Sequence, residues 1–435
     1  MKTKFWLLVM CVGPLTARGA EDWQIAWTRQ LPQRAVAWSN TINMPRDSTY
    51  SMAVSEKLVI VGTTTDSALR AYDIATGQEQ WRYAFSAPVR WAPVIAGDSV
   101  VAGSDDGTLV AINLADGKPR WRYVPGPGNA WCIGHERLVS LWPITTTPGI
   151  ENGVVYGCAG AFVFDGVFIF AVDLKTGEER WLRRVDKRLS GAVNIETNLV
   201  SIRGYVVDAA TGSPVAGAKV TAKSRAPDAI PIFRSVEKSS RNAGNVPQPD
   251  AGPEDPTNQK GQIIQSRVFD DRSVCLTSGN QLIGLTKRAP AQPVDVGEPT
   301  PQPVSAANDQ SILAKALAEK CDAGWVLVAG LKDGRLVTAL AAEKFHRVIA
   351  IDTDPARLAA VRAALQKDGT LSGNRVQIVQ APLADLPPWV FSLIVTEQEQ
   401  PVDAKVALRK LRPFGGVVAI AAGSSAELRK LEAGL

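Results

Sequence analysis

Chemistry-bearing residues are sparse in this sequence. Neither of its two histidines, His135 and His346, has a motif partner, so a Ser-His-Asp triad has no support. His346 opens an apolar run and reads as a partly exposed packing residue. Five scattered cysteines, Cys11, Cys132, Cys158, Cys275 and Cys321, argue against a zinc site of the usual His/Cys spacing. Asp105-Asp106-Gly107 reads as a hairpin turn, with calcium binding as the alternative. The strongest local pattern is Ala329-Gly330-Leu331-Lys332-Asp333-Gly334, a glycine-rich loop directly after the apolar run WVLVA. Glycine there lets backbone amides approach a ligand. Asp352 ends a second apolar run, RVIAID, 22 residues after Gly330.

These positions sit in a strand–helix alternation. SILAKALAEKC (311–321), GRLVTALAAEKF (334–345) and PARLAAVRAALQKDG (355–369) are helical, the last begun by Pro355 and stopped by Gly369. WVLVAG (325–330), RVIAID (347–352), RVQIVQA (375–381), FSLIVTE (391–397) and GGVVAIAA (415–422) are strands. Such alternation predicts an α/β, doubly wound parallel sheet with helices on both faces. In this motif order, residues 309–435 resemble a truncated class I S-adenosylmethionine-dependent methyltransferase domain, Rossmann-like in fold. The resemblance implies that Gly330 and Gly334 line the cofactor and that Asp352 binds its ribose hydroxyls, the logic of dinucleotide sites. LRPFGGVV (411–418) resembles the turn before the fifth strand of that family. Four departures count against catalysis. Val328 stands where an acid is usual, Lys332 replaces the middle glycine, Pro382 falls where an Asp often meets the adenine, and Ser392 replaces a further Asp. After Ala422 too few residues follow for the family's last two strands. Turn glycines and a solvated strand-end carboxylate are the alternative reading of the three site residues.

The first half is organised by a repeat. ALRAYDIATGQEQWRY (68–83), TLVAINLADGKPRWRY (108–123) and FIFAVDLKTGEERWLR (168–183) each run from alternating apolar residues to Asp73, Asn113 or Asp173. A glycine turn follows (Gly77, Gly117, Gly177), then a tryptophan (Trp81, Trp121, Trp181). Alternation predicts half-buried strands, and each glycine a tight turn at positive φ. The tryptophans read as core residues stacking on the neighbouring copy, not as a cofactor sandwich. A second hairpin precedes each copy, giving about four strands per ~40 residues, the period of a β-propeller blade. The third copy carries an insertion around 126–150. On the motif A-x-D-x-x-T-G…W, residues 58–183 resemble the PQQ-like, quinoprotein-type propeller repeat. Residues 204–235 are either a degenerate blade or a small carboxypeptidase-regulatory-like β-sandwich, and 270–287 form a further hairpin. With four or five copies visible, the propeller is small, lacks blades, or belongs to a longer chain.

Residues 1–20 have the basic, apolar and small-residue order of a cleaved signal peptide, with an uncleaved anchor as the alternative. No other stretch is long and apolar enough to span a bilayer, so the mature chain is expected in the periplasm or secreted. There Cys132–Cys158 could pair, or the thiols remain free. The domain map is then 1–20 signal, 21–241 blades, 242–262 linker, 263–288 hairpin, 289–308 Pro-rich linker and 309–435 the α/β domain, tethered to move semi-independently. The net charge of +5 falls to +2 once Lys2, Lys4 and Arg18 are removed, which excludes a backbone-binding nucleic-acid protein.

Three functions follow. The first is an exported, non-catalytic propeller scaffold for protein or envelope partners, carrying a degenerate methyltransferase-like domain and no cofactor. The others are an S-adenosylmethionine-dependent methyltransferase and a quinoprotein oxidoreductase. The last needs a quinone and Ca²⁺ on the propeller axis, for which no segment supplies ligands, so PQQ is not expected.

Overall fold

The computed structural model describes residues 23–32, 50–134, 136–220, 263–269, 271–277, 279–288, 292–297, 308–373, 375–397 and 403–419. The proposed signal peptide, the 242–262 linker, His135 and Ala422 lie outside the described residues.

Apolar alternation bounded by tight turns builds four-stranded sheets in chain order. After β1 (Gln24–Gln30), the first sheet contains β2 (Met52–Val54), β3 (Leu58–Gly62), β4 (Ala68–Asp73) and β5 (Glu79–Ala84). The second contains β6 (Val94–Ala96), β7 (Ser99–Gly103), β8 (Leu109–Asn113) and β9 (Pro119–Tyr123). A separate hairpin, β10 (Trp131–Gly134) and β11 (Arg137–Ser140), and the short β12 (Thr146–Thr147) occupy the insertion read around 126–150. The third sheet is β13 (Gly149–Glu151), β14 (Val154–Ala159), β15 (Val167–Asp173) and β16 (Glu179–Val185). The fourth is β17 (Gly191–Glu196), β18 (Leu199–Ile202) and β19 (Tyr205–Asp208), with β12 parallel alongside β17.

The fifth sheet is composite. β20 (Ile263–Val268), β21 (Arg272–Thr277) and β22 (Gln281–Thr286) form an antiparallel meander. β22 then pairs with the N-terminal β1, from Gln24↔Thr286 to Gln30↔Gln281. β23 (Val294–Asp295), inside the stretch read as Pro-rich linker, lies parallel to β1.

One joint recurs between successive sheets. Trp81 Nε1 donates to the Leu114 carbonyl of the second sheet at 2.9 Å, and its ring covers Gly117. Gly117 has φ 72°, and a Cβ there would lie 2.7 Å from the indole, so the position tolerates only glycine. The joint repeats as Trp27 on the Ile74 carbonyl and Gly77, Trp121 on Leu174 and Gly177, and Trp181 on Ala209 and Gly212. The repeat's Asp has its own reason: Asp73 Oδ1 accepts from the Ala75 and Thr76 amides and the Thr76 hydroxyl, folding the turn that presents the glycine. Asp208 does the same with Ala210 and Thr211. Residues 191–214 therefore repeat the turn and joint of the preceding sheets.

The C-terminal part is a five-stranded, wholly parallel sheet. Its strands are β24 (Trp325–Ala329), β25 (Arg347–Asp352), β26 (Val376–Gln380), β27 (Phe391–Thr396) and β28 (Val417–Ala419), in the order β26-β25-β24-β27-β28. One face buries Val326, Val328, Val348 and Ala350 beneath α1 (Asn308–Lys320), α2 (Arg335–Ala342) and α3 (Pro355–Lys367), through residues such as Ala314, Leu340, Leu358 and Val361. α4 (Ala404–Lys410) contributes Ala407 to the other face. Between β26 and β27 only a single 3₁₀ turn, Leu383–Asp385, is found where doubly wound sheets ordinarily place a helix. The propeller helps to cover this face instead: Ala87, Trp131 and Leu138 join Leu327, Ile349, Ile351 and Val379 in one buried cluster. The Pro-rich tether predicts a semi-independent domain; in the structure it packs against the β5–β6 connection and the β10–β11 hairpin.

The four described cysteines, Cys132, Cys158, Cys275 and Cys321, are free, so the Cys132–Cys158 pairing is not formed. Burial pushes the Cys158 thiol up to about 12.

Candidate functional site

Polar chemistry gathers at the carboxyl edge of the parallel sheet and at the seam where that sheet meets the propeller.

Strand order reverses between β24 and β27, and in open parallel sheets ligands bind outside the carboxyl ends at such a reversal. The sequence-predicted residues do meet at this edge. Gly330 leaves β24 with φ 65° and donates its amide to the Ile351 carbonyl at 3.2 Å. Gly334 caps α2 with φ 84°, and a Cβ there would stand 3.1 Å from Val361 Cγ1, so its lack of a side chain serves helix packing. Asp352, at the end of β25, is 6% exposed. Its Oδ2 accepts from the Leu331 amide at 3.0 Å and from Arg357 Nε at 2.7 Å. Its Oδ1 accepts from the Asp354 amide at 2.9 Å and from Arg357 Nη2 at 3.2 Å. Four donors fill the acceptor capacity of a carboxylate. Burial alone would raise the Asp352 carboxyl; Arg357 and the two amides outweigh it and hold it below the ordinary value.

Glu397, just past β27, closes the same crevice from the other side. Its Oε2 accepts from the Lys332 amide at 2.7 Å. Burial pushes its carboxyl above the usual range, and nearby Asp333 adds to this. The Leu331, Lys332 and Arg335 amides of this loop are thus engaged by the chain's own carboxylates. Neither Arg357 nor Glu397 was singled out from the sequence. The legible signal was an Arg in the first helical turn after the strand-end acid.

The second place was also missed from the sequence. Gln377, on the edge strand β26, is 5% exposed. Its Oε1 accepts from the Leu138 amide at 2.9 Å, and its Nε2 donates to the Leu138 carbonyl at 2.7 Å and the Ser86 carbonyl at 2.8 Å. The side-chain amide thereby pairs with the open edge of β11 as a neighbouring strand would. Ser86 Oγ accepts from the Gln380 amide at 2.9 Å, and the Ser86 amide donates to Asp106 Oδ2 at 2.9 Å. Arg362 Nη2 donates to the Phe85 and Ile378 carbonyls, and burial pushes its guanidinium down to about 10. Arg347 pairs with Glu136 at 2.9 Å. Arg137 is buried, with both terminal nitrogens 3.3 Å from the Thr65 carbonyl; burial, with Arg347 and Arg90 nearby, pushes it down to about 9.

The remaining sequence candidates separate. Asp105 pairs with Arg90, and Asp106 accepts from Thr108 and Ser86, so this turn's carboxylates are committed within the protein. His346 is exposed at the start of β25. Among the described residues no group of three or more His, Cys, Asp or Glu could hold a metal ion.

Comparison with known proteins bears on the first half. Residues 12–225 match the family model described as outer membrane protein assembly factor BamB, a PQQ-type repeat family. No curated protein matches the chain. Among solved structures, BamB from Moraxella catarrhalis is 16% identical over 54% of this chain and 71% of its own, with a TM-score of 0.25. A quinohemoprotein alcohol dehydrogenase, ADHIIG from Pseudomonas putida HK5, is 17% identical over 44% of this chain and 35% of its own, at 0.35. The computationally designed Ika4 protein is 21% identical over 39% of this chain and 89% of its own, at 0.28.

Proposed function

We propose that this chain, whose residues 12–225 are PQQ-type repeats of the BamB-like family, is a non-catalytic binding scaffold of the cell envelope. Its propeller offers the binding surface, and its C-terminal sheet, read as a degenerate Rossmann-like, methyltransferase-like domain over 309–435, serves as a structural cap. The observation that carries this reading is the filled carboxyl edge. Asp352 has each acceptor position taken by Arg357 or a backbone amide, and Glu397 holds the loop from the other side. The family description, an assembly factor for outer-membrane proteins, supports protein partners and an envelope location, to which the signal-like residues 1–20 would deliver the chain. Among the described residues no helix is long and apolar enough to cross a membrane.

A second reading keeps Gly330, Gly334 and Asp352 as an S-adenosylmethionine site. It is favoured by the left-handed glycines and the acid sharing one sheet edge. A ribose there would have to displace Arg357 from Asp352. Calorimetric titration of the folded protein with S-adenosylmethionine and S-adenosylhomocysteine separates the two readings. The scaffold reading expects no heat, with circular dichroism reporting an intact fold. Micromolar binding that is lost in Asp352→Asn would overturn it.

A further inference from the structure

The loop joining β14 to β15 carries its apolar side chains outward. Phe162 is 50% exposed, Val163 36% and Phe164 79%. The two rings stack on each other with centroids 5.4 Å apart, and neither is among the buried residues of a core cluster. The backbone beneath them is fixed. Gly160 and Gly166 approach so closely that a Cβ on the first would lie 2.4 Å from the carbonyl of the second. The Gly160 amide donates to the Pro143 carbonyl, and Trp142 Nε1 donates to the Asp165 carbonyl at 2.9 Å. The exposed rings therefore stand on a preformed tip, and ordering them on a partner carries little entropic penalty.

Cationic side chains stand at the same end of the blade, Arg184 Nε 3.6 Å from where a Cβ on Gly166 would lie. In the β15–β16 register Phe168 faces Arg184 and Val167 faces Val185, so the start of the 186–190 loop lies at the same end of the blade. Arg184, Lys187 and Arg188 are exposed, and among the described residues none forms an ion pair with Asp165 or Asp186, the two acids of these loops. The stacked rings form an exposed apolar pair with no concave surface described beside them. With cations beside them they match a layer whose surface is negative and whose interior is apolar.

We propose that the 160–166 tip, with Arg184, Lys187 and Arg188, is a peripheral docking site for an anionic phospholipid bilayer. The rings enter the headgroup–acyl boundary and the cations lie along the headgroups. Binding then depends on both apolar burial and surface charge, as for other interfacial elements.

The test is co-sedimentation of the full chain with vesicles of phosphatidylcholine alone, or of equal parts phosphatidylcholine and phosphatidylglycerol. The expected result is binding to the mixed vesicles that weakens with added salt, with at least about tenfold less binding to the neutral ones. Phe162→Ser/Phe164→Ser lowers binding about tenfold or more, and Arg184→Glu/Lys187→Glu/Arg188→Glu abolishes the preference for phosphatidylglycerol. Phe414→Ser, a change at an exposed aromatic 97% open in the other domain, leaves binding unchanged. Each variant is compared at matched thermal unfolding. Equal binding to both vesicle types, full binding by the double Phe variant, or capture of polyglutamate with none of the vesicles would each overturn the proposal.

Discussion

Replacing Gln377 with leucine tests whether the seam between sheet and propeller is a true structural union. The two side chains are close in volume, so the change is chiefly chemical. It removes three hydrogen bonds and leaves the Leu138 amide, the Leu138 carbonyl and the Ser86 carbonyl without that partner in a buried seam. At about 1–2 kcal/mol for each stranded group, offset by ~1 kcal/mol from the added apolar burial, docking weakens by about 3 kcal/mol. That is about a hundredfold in the equilibrium between docked and opened forms. The reporter is the Gln380 amide, which donates to Ser86 Oγ and keeps that partner in the variant. Native-state hydrogen exchange at Gln380 should accelerate about a hundredfold in Gln377→Leu. Gln377→Ala should be milder, because the space it opens is lined by the same three polar groups and can admit a bridging water. If Gln380 exchange in Gln377→Leu equals that of the parent, or if alanine proves worse than leucine, the assignment of docking energy to this amide is wrong.

Two further outcomes follow from the geometry. Gly177→Ala places a Cβ 2.6 Å from the Trp121 ring at φ 74°, and should destabilise by roughly 3 kcal/mol in urea unfolding. Gly97→Ala, at φ 59° with open space around it, should lose only about 1 kcal/mol, and equal losses would refute the joint between blades. Asp352 is held below its ordinary value of 3.8, so its ionised form stabilises the fold at neutral pH. That contribution is complete above the unfolded value and is lost as pH falls through the folded one. The stability advantage of the parent over Asp352→Asn should therefore be flat above about pH 5 and shrink below about pH 4, read from urea midpoints across that range. An unchanged gap at low pH would remove Arg357 as the reason for the shift.

How far the sequence carried depended on whether the relevant contacts were local or periodic. The blade joints were legible because their parts repeat: an Asp that folds the turn, a Gly that must lie left-handed, and a Trp that needs that Gly. The fourth blade stayed ambiguous because Val215 stands near the expected tryptophan position, although its own turn at 208–212 is intact. The composite fifth sheet was hidden because QIAWTRQ carries no turn motif and finds its partner across most of the propeller sequence. The α/β strands were readable as apolar runs, and Gly330, Gly334 and Asp352 do gather at one edge. What fills that edge, Arg357 and Glu397, looked like ordinary surface charge. The insertion around 126–150 was visible only as an interruption of the repeat. Its hairpin meets a sheet face left partly bare by a missing helix, and nothing local in either segment announces the other.

The composite sheet also has a consequence for the order of folding as the chain emerges N-terminal end first. Trp27 binds the Ile74 carbonyl and covers Gly77, both in the first sheet, so β1 has a mooring as soon as β2–β5 exist. Its true sheet partner, β22, is made only after the next three blades. The thermodynamic penalty for so long a closure grows only with the logarithm of the loop length. The hazard is kinetic, an exposed strand edge waiting while more than half the propeller sequence follows it. By parking β1 against the first blade, the tryptophan turns this strand into a template that is already aligned when its late partner arrives.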